Sequence, residues 1–227
     1  MAPQTAPRIV APRIIAIDGP SAAGKGTLAR RLAAHFSLPY LDTGLLYRAV
    51  GRRVLDAGAD PADPHAALAA ARALQPEDLD RGDLRGPEAD EAASLVAAQQ
   101  PVRDGLLDFQ RRFGAERGAV LDGRDIGTVV FPAADVKLFV TASPAERAHR
   151  RFLEFQAKGI PRPLAEVEAE LAARDQRDTE RLAAPAKKAD DALVLDTTGR
   201  DADQVFAAAL ALIAAAGQPT AERLKPT

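Results

Sequence analysis

A chain of 227 residues, 47% apolar and 27% charged, can bury one sizeable core with room for a lid or small subdomain. Its formal net charge of −2 excludes a sequence-independent nucleic-acid binder, which would be markedly basic, and the absence of cysteine excludes disulfides and thiolate metal sites. Three widely spaced histidines (His35, His65, His149) argue against a His-rich metal centre, no apolar run reaches transmembrane length, and no charged-then-apolar signal pattern opens the chain, so a soluble cytoplasmic protein is expected.

Pro- and polar-rich composition makes residues 1–12 and 217–227 disordered tails around a single domain, 13–216. Within it, Arg13 to Asp18 reads as a buried strand, followed by a Gly-rich turn and a helix from Lys25 to Ser37. Leu38 to Asp42 is a second short strand, leading to a helix through Leu45–Leu55. Residues 57–93, rich in Ala, Asp, Pro and Gly, show helical pieces and no strong strand. They are expected to form an insertion on the sheet edge rather than part of the core. A helix over Pro101–Glu116 precedes strands at Ala119–Asp122 and Val136–Thr141. Helices over Pro144–Lys158, within a lid at about 144–162, and over Pro163–Leu182 come before a last strand at Leu193–Asp196. Strands alternating with helices imply an α/β fold with a parallel sheet covered on both faces. Such sheets bind ligands at the carboxyl ends of their strands.

The first strand runs into Gly19-Pro20-Ser21-Ala22-Ala23-Gly24-Lys25-Gly26-Thr27 and then a helix. Gly19 and Gly24 permit positive φ and close approach of the backbone to an anion. Successive N–H groups and the helix N-terminus then point at phosphate, and Lys25 adds a mobile charge for the β- and γ-phosphates of ATP. The general pattern has Ser or Thr directly after the lysine, whereas Gly26 here precedes Thr27. A glycine-rich turn with an incidental lysine is the plain alternative, and the strand–loop–helix context favours the phosphate loop. Asp122 ends an apolar strand, where a carboxylate commonly holds Mg²⁺ directly or through water; a turn aspartate before Gly123 is the plain reading. The spacing of Arg174, Arg177, Asp178 and Arg181 puts them on one helical face, which composition alone reads as a solvated, paired surface.

Six blocks together resemble the bacterial cytidylate kinases: GPSAAGKGT, LDTGLLYRAV at 41–50, LDGRDIGTVVFP at 121–132, ERAHRR at 146–151, RDQRDTERLAAP at 174–185 and ADDALVLDTT at 189–198. The resemblance covers about residues 13–215. It implies transfer of the γ-phosphoryl group of ATP to CMP or dCMP with Mg²⁺. The implied fold is a phosphate-loop kinase core with a five-stranded parallel sheet, an ATP-side lid and a nucleotide-monophosphate insert. By this resemblance Thr43 and Arg48 contact the acceptor phosphate, and Asp125, Arg103 and Ser94 read the base. A carboxylate suits the N4 amine of cytosine and would face an acceptor in uracil. Arg174, Asp178 and Arg181 approach the sugar and phosphates of the acceptor, Arg124 joins the phosphate clamp, and Asp122 holds Mg²⁺ through water. Lys25, Arg151, Arg174 and Arg181 are the implied catalytic cations, Arg151 coming from the lid, and His149 is structural. Partners are therefore ATP and CMP or dCMP, with no nucleic acid or membrane, for a chain acting as a monomer.

Two departures from the family pattern bear on structure. Ala22-Ala23 stands where Gly-Ala is usual, so Ala22 requires a negative φ. The insert is short, and only Gly82-Asp83-Leu84-Arg85 resembles the turn that normally closes its strand-rich stretch. Two other readings stand beside the main one: a kinase of another small acceptor (UMP, AMP or a shikimate-like metabolite), and a nucleotide-binding module without transferase activity.

Overall fold

In the computed structural model, which describes residues 12–216, five strands form one parallel sheet. They are β1 (Ile14–Asp18), β2 (Tyr40–Asp42), β3 (Ala119–Gly123), β4 (Val136–Thr141) and β5 (Leu193–Asp196), in the order β2-β3-β1-β4-β5. Two start later than sequence pattern suggests. The Arg13 and Ile14 N–H groups are both taken by the Asp135 carboxylate, and the Leu38 N–H closes the preceding helix on the Ala33 carbonyl. Pro39 has no N–H to offer a ladder. The tails expected at 1–12 and 217–227 fall, Pro12 apart, outside the described residues.

Eight α-helices surround the sheet: α1 (Lys25–Phe36), α2 (Thr43–Asp56), α3 (Pro64–Arg72), α4 (Pro87–Ala97), α5 (Gln100–Arg117), α6 (Pro144–Ala157), α7 (Leu164–Glu180) and α8 (Ala202–Ala216). Side-chain alternation along the central strands divides the core into two layers. Ile15 and Ile17 of β1 and Val120 of β3 pack with α1 and α8; Ala16, Ala119 and Leu121 pack with α2 to α5. A third, small cluster of Ala148, Phe155, Val167 and Leu171 joins α6 to α7. Of that pair, α6 falls within the lid expected at 144–162.

The insert departs from expectation. It lacks strands, as anticipated, yet it is part of the core: Ala67, Leu84, Ala89, Ala92 and Ala93 are all buried. Alanine explains both facts. Each side chain gives little hydrophobic signal in sequence, while its small volume lets helices approach closely. At the α2–α4 crossing a Cβ on Gly51 would stand only 2.8 Å from that of Ala92. The insert is thus two alanine-rich helices pressed onto α2 and α5, not an appendage.

Parallel register sets the site. Asp42 of β2 pairs with Asp122 of β3, and Asp18 of β1 with Gly123, so three carboxylates end their strands at one sheet edge beside the Gly-rich loop.

Candidate active site

The loop from Gly19 to Thr27 wraps the start of α1. Gly19 has φ 142 and Gly24 φ 89, and a Cβ on Gly19 would run into the Val140 carbonyl, so both glycines are required. Ala22 corrects the sequence expectation: its φ is +59, not negative. The left-handed turn is retained without glycine, at a cost of about 1–2 kcal/mol. The Ala22 methyl packs against the α6–α7 cluster, which offsets part of that strain.

Lys25 is buried, and its Nζ donates to the Pro20 carbonyl at 2.7 Å, so the amine reaches back across its own loop. Burial, then the nearby Arg124 guanidinium, pull the ammonium below its usual range against the opposing carboxylates of Asp122 and Asp18. Asp122 is shifted up, by burial first and then by Asp42. Its carboxylate accepts from the Tyr40 hydroxyl at 2.9 Å. An incoming polyphosphate would relieve the first strain by raising the amine, and a cation carried with it would relieve the second by pairing with the carboxylates.

A cavity of about 550 Å³ opens over this loop. Of the residues implied by the sequence, Ser21, Ala22, Gly24, Lys25, Gly26 and Thr27 line its floor. Arg48, Asp122, Arg124, Arg151 and Arg174 line its walls. Pro20 contributes its carbonyl to Lys25, and Gly19 and Ala23 are buried in the loop's support. Beside it lies a tighter chamber of about 40 Å³, which shares Arg124 and Arg174 with the first. Thr43, Ser94, Arg103, Asp125, Asp178 and Arg181 line that chamber. Every candidate residue therefore belongs to one of two adjoining spaces or to the loop beneath them.

The chamber is densely paired. Arg103 donates to Asp125 and, at 3.0 Å, to the Ala97 carbonyl, and its guanidinium lies 5.3 Å from the centre of the Tyr47 ring. Arg124 bridges the two spaces, with Nε on Asp178 at 2.8 Å and Nη2 on the Ser21 hydroxyl at 2.6 Å. Although burial alone would raise the Asp178 pKa, the surrounding Arg124, Arg174 and Arg181 outweigh it and hold the carboxyl low. Thr43 directs its only hydroxyl proton to the Asp122 carbonyl at 2.8 Å, so a phosphate contact requires that bond to turn. Ser94 accepts from Arg177 at 3.1 Å. The expected single arginine face is interrupted. Arg177 turns to α4 and Glu91, and Arg181 lies one residue beyond the end of α7. Two buried guanidinium donors lack partners among the described residues, Arg174 Nε and Arg181 Nη2. Orphaned guanidinium donors at the chamber wall call for an acceptor from a ligand.

Four contributors carry little or no signal in the sequence. Arg85 reaches Asp42 at 3.2 Å from the Gly82–Arg85 turn and also lines the main cavity. Tyr40 and Asp42 flank Asp122 from the neighbouring strand. Asp18 accepts the Ile126 and Gly127 N–H groups, both at 2.8 Å, and so ties the loop after Asp125 to the end of β1. A polar residue at a strand end hints at Asp18; nothing short of the sheet order shows what it holds.

Burial raises Asp18 to about 6 despite those two N–H bonds. A carboxyl whose folded pKa exceeds its unfolded 3.8 contributes stability that is full below 3.8 and lost as pH rises through 6. Asp18→Asn removes that titration. The destabilisation it causes is therefore expected to be larger at pH 4.5 than at pH 7.5, by about 2 kcal/mol, in urea unfolding at the two pH values. A difference that stays flat or reverses with pH would remove Asp18 as the titrating group.

Comparison with known proteins identifies relatives of this chain. The family model described as Cytidylate kinase matches residues 15–215. The chain is 66% identical over 202 residues to the cytidylate kinase of Acidiphilium cryptum, covering 89% of this chain and 95% of that one. It is 63% identical over 193 residues to that of Granulibacter bethesdensis, covering 85% and 92%. Among solved structures, an uncharacterized protein from Eubacterium ventriosum aligns with TM-score 0.53 at 15% identity, over 88% of this chain and 98% of that one, a likeness of fold alone.

Proposed function

The chain belongs to the cytidylate kinase family, and from that membership we infer a phosphotransferase that moves the γ-phosphoryl group of ATP to CMP and dCMP. The observation that carries the reading for this chain is the shared wall between the two spaces. Arg124 and Arg174 face both the cavity above the phosphate loop and the chamber closed by Arg103 and Asp125. A donor phosphate on the loop and a base in the chamber would meet at those two arginines.

In this reading Lys25 and the N–H groups of the loop hold the β- and γ-phosphates. Asp125 accepts from the cytosine N4 amine, Arg103 donates to N3 and O2, and Ser94 supports the pair. Asp178 holds a sugar hydroxyl, which either ribose or deoxyribose offers. Arg48 and Thr43 hold the acceptor phosphate with Arg124, Arg174 and Arg181, the last two through the donors now without partners. An oxygen of that phosphate attacks the γ-phosphorus in line, the bond to the bridging oxygen breaks, and ADP leaves with the released charge. Arg151 descends from the lid to neutralise the group in transit, and closure of α6 over the loop excludes water.

The residues present fit Mg²⁺, which keeps several waters and takes one or two carboxylates plus substrate phosphates. Asp122, with Asp42 beside it in register, is such a donor set. When bound there through water, the ion supplies charge neutralisation across the β- and γ-phosphates. This reading takes the chain to act as a monomer. Among the described residues no helix is long and apolar enough to cross a membrane, in keeping with work in the cytoplasm.

A coupled ADP-release assay with CMP, dCMP, UMP and AMP tests the acceptor. CMP and dCMP are expected to turn over fastest, with UMP reduced about 10- to 100-fold in kcat/KM for want of an N4 donor to Asp125. Rapid turnover of UMP or AMP with CMP inert would replace the acceptor. Tight ATP binding with no ADP formed from any acceptor would leave a binding module instead of an enzyme.

A further inference from the structure

Asp90 sits on α4 of the insert, and its side chain is 14% exposed at the wall of the main cavity. Three guanidiniums from three helices converge on its carboxylate. Arg48 of α2 donates through Nε at 2.9 Å, Arg174 of α7 stands 3.4 Å away, and Arg151 of α6 donates through Nη2. No other carboxylate among the described residues joins the lid, the insert and α7 in one contact.

The atoms used decide what this contact does. Asp90 holds Arg48 at Nε alone, so both Nη groups of that side chain keep their donors unbonded within the described residues. Arg174 is approached on one Nη, while its buried Nε has no partner. Arg151 is fixed on both sides, by Asp90 and by Glu154 at 2.6 Å, with its guanidinium 4.5 Å from the centre of the Phe155 ring. The carboxylate thus grips the arginines by part of their donor set and leaves the rest free in the cavity. Without it, the like charges would spread. Arg174 already feels this crowding, since burial, then Arg124 and Arg48, bring it down to about 9.

We propose that Asp90 is a positioning residue for the transfer step, gathering Arg48, Arg174 and the lid residue Arg151 so that their free donors meet the acceptor phosphate and the transferring group together. It touches none of the reacting atoms, and it leaves the Nη fork of Arg48 open to phosphate. On Arg151 and Arg174 it meets one Nη each, so those two side chains offer phosphate their remaining donors.

The inference rests on CMP as acceptor, and wild-type enzyme in the same assay keeps the two separate. Asp90→Asn and Asp90→Ala, in the full chain, are measured for kcat, for KM toward CMP and toward MgATP, and for thermal midpoint. Loss of one charge-assisted anchor is expected to raise KM for CMP about 10-fold or more and lower kcat several-fold. KM for MgATP should stay within about two-fold even if the midpoint falls by a few degrees, with partial rescue of CMP use by Asp90→Glu. A KM for CMP that is unchanged or lower overturns the proposal, the latter revealing a competitor. So does a joint loss of CMP use, MgATP use and thermal midpoint, which would mark a structural residue. If wild type were inert with CMP yet used another nucleotide, the acceptor reading would fall and the same split would be read with that nucleotide.

Discussion

Replacing Lys25 by methionine is expected to lower kcat by about 10²–10³-fold or more while leaving the protein folded and no less stable. The two halves of that expectation share one cause. The amine is buried, reaches only the Pro20 carbonyl at 2.7 Å, and is disfavoured by Arg124 as well as by loss of water. A lysine whose folded pKa is depressed costs stability while charged, and that cost fades as pH rises. Exchanging such a charge for an apolar side chain of similar length is neutral or stabilising. The cost is reversed only when polyphosphate arrives, since the ammonium then faces the charge that builds on the β–γ bridge. The checks are single-turnover ADP formation and urea unfolding without nucleotide. A variant that keeps its rate, or one that unfolds far more easily than wild type, would remove Lys25 from the transfer step.

How much of this was legible in the sequence follows from what each feature depends on. The sheet was readable because parallel strands are buried on both faces, so runs such as Ile14–Ile17 and Leu138–Val140 are apolar without alternation. The phosphate loop was readable because its work is done by backbone, and backbone shape leaves glycines in fixed places. Ala22 shows the limit: its positive φ follows from closure of the turn against the lid, which no local preference reports. The insert was misjudged because alanine burial is silent in a hydropathy pattern. Ser94, Arg103 and Asp125 were marked only by family resemblance, since within their own segments they look like ordinary helix and turn residues. Asp90 is the extreme case. Its partners lie on helices dozens of positions away, so its setting exists only once α2, α4, α6 and α7 are packed.

Asp125 governs the second large effect, and here stability and selectivity must be separated. Arg103 is 6% exposed, and besides Asp125 it has, among the described residues, only the Ala97 carbonyl as a hydrogen-bond acceptor. Asp125→Ala leaves that guanidinium buried without its counter-charge, at a cost of about 3–5 kcal/mol, so a loss of activity in this variant would mix two causes. Asp125→Asn keeps the size and one acceptor for Arg103 while replacing the other oxygen with an amine. That amine is a poor partner for the cytosine N4 donor and a good one for the uracil O4 acceptor. The ratio of kcat/KM for CMP over UMP is therefore expected to fall about 10- to 100-fold in the Asn variant, chiefly through CMP. KM for ATP should hardly change, because the loop proposed to bind it lies across Arg124 from the chamber. Equal losses for CMP and ATP would place Asp125 in the general frame of the site. An unchanged CMP to UMP ratio in a folded Asn variant would move base reading to other groups that line the chamber, such as Ser94 and Arg181.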